Sequence, residues 1–187
     1  MSDPVYGLIQ YVEDLRRIGR EETDDEKIVQ RVASLAQKFA ETPGLIKDEF
    51  YQCDEEQGFA FHLLHEEEDH GNAVFMLAWL PDRGTPPHNH KTWGVVVVVE
   101  GEERETWWRR IDDGSRPGYA ELERHSESTM GPGQVSCVLP EDIHTVWNQT
   151  NKVSLSLHTY GKHINFTGRS EFDPESKTEK QFIVTVD

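Results

Sequence analysis

The sequence predicts a mostly β protein, a sandwich or jelly-roll barrel, preceded by two α-helices. Two observations carry this. In the first 40 residues apolar side chains recur at the spacing of one helix face. From about residue 50 the pattern becomes short runs rich in β-branched and aromatic residues, separated by Gly, Pro, Asp and Asn.

The helical part reads as residues 4 to 40. Leu8, Tyr11, Val12 and Leu15 share one side of a segment from Val5 to Ile18, and Ile28, Val32, Leu35, Ala36 and Phe39 share one side of the next. Gly19 to Asp24 joins the two, Thr23-Asp24-Asp25-Glu26 supplies a capping box, and Pro43-Gly44 stops the second helix. The strand candidates are Phe59 to Leu64, Ala73 to Leu80, Trp93 to Glu100, Glu103 to Arg110, Val135 to Leu139, Ile143 to Trp147, Val153 to Tyr160 and Phe182 to Val186. Val95 to Val99 is an unbroken apolar run, as expected of a strand buried on both faces. Glu171 to Lys180 is polar enough to read as a mobile excursion.

At 187 residues the chain is long enough to bury a core without disulfides or structural metal. One domain over 1–187 is expected, with helices in 1–42 packed on a barrel formed by 45–187. Two cysteines, Cys53 and Cys137, are too few for a disulfide framework, so reduced thiols are expected. No stretch approaches the roughly 20 apolar residues of a membrane span, and no basic flank precedes an apolar run at the start. The chain is therefore expected to be cytoplasmic. Its 35 Asp and Glu against 19 Lys and Arg give a formal charge of -16, which argues against nucleic acid and anionic membranes as partners. A small anionic substrate would need a local positive feature.

Three segments can carry chemistry. In "TPPHNHKTWG", His88 and His90 stand two residues apart; in extended backbone both imidazoles project to one side and can meet one ion. Two solvent-facing loop histidines are the alternative. In "GPGQVSCVLPEDIHTVWN", a glycine turn precedes Pro140, His144 and Asn148 at spacings of four. In "VSLSLHTYG", Ser156, His158 and Tyr160 share one strand face, and Leu155, Leu157 and Thr159 share the other. Alternation alone leaves open which set faces inward. His62, His65 and His70 read as surface or hairpin residues, and the tryptophans Trp93, Trp107, Trp108 and Trp147 as packing residues.

The His144 segment resembles the second motif of the cupin superfamily, and His88-x-His90 followed by Gly101 resembles the first. That resemblance implies a double-stranded β-helix, a jelly-roll barrel. The glutamate usual in the first motif is missing, since Trp93, Gly94 and Val95 occupy its place. Its absence points to a three-histidine site, a donor set compatible with iron, zinc, nickel or copper, with open positions for substrate.

With Ser156-x-His158-x-Tyr160 added, residues 45 to 175 resemble the thiol dioxygenases, the cysteine dioxygenase and 3-mercaptopropionate dioxygenase family, in its bacterial form. The resemblance implies Fe(II) on His88, His90 and His144, with Ser156, His158 and Tyr160 as a relay. Gly94 stands where mammalian-type members carry a cysteine crosslinked to the relay tyrosine, so no crosslink is expected. Arg169 resembles the arginine placed near the substrate carboxylate. One departure is that Phe61 or His62 occupies the position of a substrate-binding Arg or Gln, which leaves the thiol acid open, mercaptosuccinate included. The expected partners are a small thiol and O2, with the chain a monomer or weak homodimer. The rival expectations are a metal-dependent cupin enzyme acting on a non-thiol substrate, and a non-catalytic cupin that binds a metal or small ligand.

Overall fold

A computed structural model describes residues 6–186. Pro4 and Val5, at the expected start of the first helix, lie outside the described residues. Helix α1 spans Leu8–Glu21 and buries Tyr11, Val12, Leu15 and Ile18. Helix α2 spans Asp25–Ala40 and buries Ile28, Val29, Val32, Ala36 and Phe39. The residue that caps α2 is Asp24 rather than Thr23: its Oδ1 accepts from the backbone N–H groups of Glu26 and Lys27 at 3.0 and 3.4 Å. A short carboxylate reaches these orphan donors and also suits the positive end of the helix.

The strands are β1 (Phe59–Glu66), β2 (Ala73–Trp79), β3 (Arg83–Gly84), β4 (Gly94–Glu100), β5 (Glu103–Arg110), β6 (Leu122–Met130), β7 (Val135–Val138), β8 (Ile143–Asn148), β9 (Ser154–Tyr160), β10 (Ser170–Asp173) and β11 (Thr178–Gln181). One sheet has the order β1-β2-β9-β4-β7 and a second the order β3-β8-β5-β6, while β10 and β11 form a hairpin. The two helices cover one face of the five-stranded sheet, where Tyr11, Val32 and Phe39 pack on Val74, Met76, Val95, Val97, Leu155 and Leu157. The alternate residues Phe61, Phe75, Leu77, Trp79 and Tyr160 point the other way, into the interior. Both faces of β4 are therefore apolar, and Val95 to Val98 are all buried.

Three regions differ from the sequence reading. Strand β6 goes unrecognised because "LERHSESTM" is largely exposed and pairs along only one side, with β5, so its side chains need no apolar alternation. The polar stretch expected to be mobile is the β10–β11 hairpin, in register from Ser170↔Gln181 to Asp173↔Thr178. Phe182 to Val186 forms no strand. Phe182 and Val184 are buried, which produces a strand-like alternation. Their backbones are held instead by Arg169 O and by the side chain of Asn165, which bonds Val184 N–H at 3.1 Å and Val184 O at 2.8 Å.

Cys53 and Cys137 are free thiols. Among the described residues no helix is long and apolar enough to cross a membrane.

Candidate metal centre

His88 and His90 lie in the extended segment ahead of β4, outside the named strands. Backbone pairing aims them: His88 N–H donates to His144 O at 2.9 Å and His144 N–H returns the bond at 3.0 Å. This stitches the first histidine pair to β8. Asn89, between them, projects the other way, and its buried side chain accepts from Ser170 N–H at 2.8 Å. Phe172 N–H also donates to Pro87 O at 2.8 Å. The hairpin is thereby docked on the histidine segment, and Arg169, the residue before β10, is carried to the site.

The candidate ligand atoms of His88, His90 and His144 all lie within 4.8 Å of one another. That is close to the span one ion with bonds of about 2.0–2.1 Å to nitrogen can bridge. All three side chains are buried, and His90 Nδ1 and His144 Nε2 have no hydrogen-bond partner among the described residues. Buried imidazole nitrogens without partners are costly unless something ligates them, so the donor set fits a metal ion. Burial first, then the neighbouring histidines, pushes the His88 and His90 pKa values well below the usual range. Both rings are therefore neutral, the form that donates a lone pair.

Two of the rings are oriented from behind. His88 Nδ1 bonds Pro86 O at 3.0 Å, and His144 Nδ1 bonds Glu105 Oε1 at 2.6 Å. Ser136 Oγ in turn donates to the Glu105 carboxylate at 2.8 and 3.0 Å. The sequence reading placed Glu105 on a strand candidate, Glu103 to Arg110, but gave it no role, since a charged side chain on a strand face is ordinarily solvated. Its hidden signal was parity: Glu103 and Glu105 share one face of β5, and both are buried. Replacing Glu105 with Ala is expected to weaken metal affinity by about 10–100-fold. Competition with a chromogenic chelator measures this, and unchanged affinity would remove Glu105 from the site.

A second set of polar side chains enters from β9. Ser156 Oγ lies 2.9 Å from His158 Nε2, and His158 Nδ1 lies 2.8 Å from the Tyr160 hydroxyl. Trp79 Nε1–H donates to Ser156 Oγ at 3.0 Å, a contact the sequence did not suggest. The alternation left open by the sequence is thus resolved: Leu155 and Leu157 face the helices, and the polar trio faces the interior. Burial holds His158 neutral, its pKa brought down to about 3, with His144 and Arg169 adding to the effect. Burial also raises the Tyr160 pKa, partly offset by Arg169, so the phenol keeps its proton.

Gly94 stands opposite Tyr160 in the β4–β9 register. A Cβ there would lie 2.9 Å from the ring atoms Cδ1 and Cε1 of Tyr160 and 2.8 Å from Val138 Cγ2. Glycine is thus what lets the tyrosine ring lie against the backbone of β4.

These groups share one closed, narrow cavity, whose lining includes Phe61, the three histidines, His158, Tyr160, Arg169 and Phe182. Arg169 is buried, its Nε and Nη2 have no partner among the described residues, and its Cζ lies 4.2 Å from the centre of the Phe182 ring. Burial lowers its pKa to about 10, against the opposing pull of Tyr160 and Glu171. It therefore stays cationic at neutral pH, an unpaired guanidinium fork that an anion would satisfy. His62 is not in the cavity. Strand parity turns it to the other side of β1, where its Nε2 bonds Gln52 O at 3.0 Å and its ring packs near Phe50. Phe61 alone of that pair reaches the site. His70 stacks on Phe166, 3.6 Å between ring centres, and His65 bonds Glu67; neither lines the cavity.

No family model matches the chain. Among solved structures it is similar to an uncharacterized conserved protein with a double-stranded β-helix domain from Klebsiella pneumoniae subsp. pneumoniae. The identity is 14% over 70% of this chain and 93% of that one, with a TM-score of 0.50. It also aligns with the cupin domain of an XRE family transcriptional regulator from Enterobacter cloacae, 18% identical over 56% of this chain and 96% of that one, with a TM-score of 0.40. An oxalate oxidase in complex with glycolate aligns at 16% identity over 67% of this chain, with a TM-score of 0.48; only 62% of the oxidase chain is covered. The likeness is one of fold: the chain is a double-stranded β-helix, carrying a buried three-histidine cluster suited to a metal ion.

Proposed function

We propose that this protein is a thiol dioxygenase, oxidising a small thiol carboxylate of the 3-mercaptopropionate or cysteine kind to its sulfinate with O2. The observation that carries the reading is the hydrogen-bonded chain Ser156–His158–Tyr160, which ends in the same closed cavity as His88, His90, His144 and Arg169. The position of Gly94 against the Tyr160 ring supports the same alignment with bacterial-type thiol dioxygenases.

Fe(II), when held by the three histidines, supplies adjacent open positions for a thiolate and O2 and the redox chemistry that joins them. The chain's own residues do the rest. Arg169 meets the substrate carboxylate with its planar fork and fixes where the sulfur lies. The Tyr160 hydroxyl, held by His158, keeps a proton at the cavity wall. Phe61, Leu77, Val146 and Phe182 keep bulk water out. Both atoms of O2 end on sulfur, and the thiol proton is released with the sulfinate.

The cavity also discriminates. Among the described residues its lining holds one fixed cation, Arg169, and no carboxylate to pair with an ammonium group. Phe61, 3% exposed, fills the place where a polar substrate-binding residue stands in the family this chain resembles. A thiol acid without an amino group is therefore favoured over cysteine. Leaving a buried polar group unpaired costs about 1–3 kcal/mol, so 3-mercaptopropionate should exceed cysteine about 10–100-fold in kcat/KM. Oxygen consumption by iron-loaded protein across 3-mercaptopropionate, cysteine, cysteamine and mercaptosuccinate, with sulfinate detected by mass, tests both statements. Iron-loaded protein inert towards every thiol acid would refute the dioxygenase reading.

A further inference from the structure

The cavity around the three histidines is too small for the substrate proposed for it. It encloses about 10 Å³, room for about one water molecule. His88, His90, Tyr160 and Arg169 are each at most 4% exposed, so the site is sealed from solvent. A thiol acid enters only if part of the wall gives way.

The wall is not uniform in how it is held. β2 and β9 are interior strands with a hydrogen-bonded neighbour on each side, and β8 lies between β3 and β5. Displacing Leu77, His158 or Val146 would therefore disrupt pairings on two sides at once. His88 is fixed to His144 by a reciprocal pair of backbone bonds. Phe182 is the exception, because it follows β11 in a segment that belongs to no strand.

Among the described residues the backbone of 182–186 is held largely by side chains. Phe182 N–H donates to Arg169 O at 3.0 Å. Val184 N–H donates to Asn165 Oδ1 at 3.1 Å, and Asn165 Nδ2–H donates to Val184 O at 2.8 Å. Thr185 N–H donates to Gln57 Oε1 at 3.0 Å. Phe182 and Val184 are buried while Ile183 is 61% exposed, so solvent lies on one side of the segment and the cavity on the other. The Phe182 ring lies 5.3 Å, centre to centre, from the His88 ring and 4.2 Å from Arg169 Cζ. It thus stands over a candidate metal ligand and over the guanidinium fork together. Segments with so little ladder pairing open locally at far lower cost than interior strands.

We propose that Phe182 is the movable wall of this cavity: the segment Phe182–Val184 swings outward to admit the thiol acid, and the displaced ring sets how bulky an acid the site accepts. The size selection rests on the dioxygenase reading; the opening does not. Asn165, which is not part of the cavity lining, is the latch that returns the segment.

Transfer of zinc from the zinc-loaded full chain to a chromogenic chelator reads the opening without any turnover. Asn165→Ala removes both bonds to Val184 and is expected to release zinc about 10–100-fold faster than wild type, the effect of losing two ordinary hydrogen bonds. Gln57→Ala, which frees Thr185, should show a smaller acceleration and keeps the test open if Asn165→Ala does not fold. Val29→Ala, a truncation under the helices on the far face of the sheet, should leave the rate unchanged. Wild-type rates in both latch variants, or an equal acceleration in Val29→Ala, would overturn the opening. With iron-loaded protein, Phe182→Ala should improve on wild type by about tenfold in kcat/KM for a benzyl-substituted 3-mercaptopropionate relative to the parent acid. A Phe182→Ala protein that oxidises the parent acid yet refuses the bulky one as wild type does would overturn the size selection. Faster zinc release from Asn165→Ala in a protein inert to every thiol acid would sustain the opening and sink the dioxygenase reading instead.

Discussion

His144→Ala is expected to lose its metal and its turnover together. His144 does two jobs that no other side chain can take over: its Nε2 faces the other two histidines, and its Nδ1 satisfies Glu105 at 2.6 Å. Truncation leaves a two-histidine remnant and also strands a buried carboxylate whose remaining partner is Ser136. Loss of an outer partner alone costs about 10–100-fold in metal affinity, and loss of a ligand should exceed that. Metal analysis after desalting and oxygen uptake with a thiol acid measure the two effects, and circular dichroism separates them from unfolding. A variant that keeps full iron and full activity would remove His144 from the ligand set.

Arg169→Ala should behave differently, raising KM for carboxylate-bearing thiols while iron stays bound. A hydrogen bond to a charged group contributes about 1.5–3 kcal/mol, which corresponds to roughly 10–100-fold in KM. Cysteamine, which has no carboxylate, should be insensitive to the change. Arg169→Lys restores the charge without the fork and is expected to fall between wild type and alanine. If Arg169→Ala lost metal with KM unchanged, the guanidinium over Phe182 would have a packing role only.

Much of the site was legible in one dimension because its residues sit at short, regular spacings. His88-x-His90 and Ser156-x-His158-x-Tyr160 follow the two-residue period of extended chain, and that period needs no knowledge of the fold. The valine run likewise declared a strand covered on both faces, and Val95 to Val98 are all buried, with the helices on one side. Phe61 and His62 show the limit. Both were candidates, and only the register of β1 against β2, with Phe61 opposite Leu77, decides that the phenylalanine faces inward.

The supporting residues were not legible, for reasons that are physical. Glu105 looks like surface charge in the sequence, since burial of a carboxylate is sensible only once Ser136 and His144 are known to surround it. Strand β6 is polar because it lies at the edge of its sheet. The segment after residue 181 alternates like a strand but is tied down by side chains. The sequence by itself determined the class of fold, the pairing of His88 with His90 and the polar trio, because local periodicity dictates which side chains share a face; the third donor, His144, followed from the resemblance of its segment to a known motif. Only the tertiary structure decided which face is interior, how the hairpin delivers Arg169 through Asn89, and which buried carboxylate stands behind the site. Those depend on pairings between segments far apart in the chain, and no local pattern encodes a partner 39 residues away, as Glu105 is from His144.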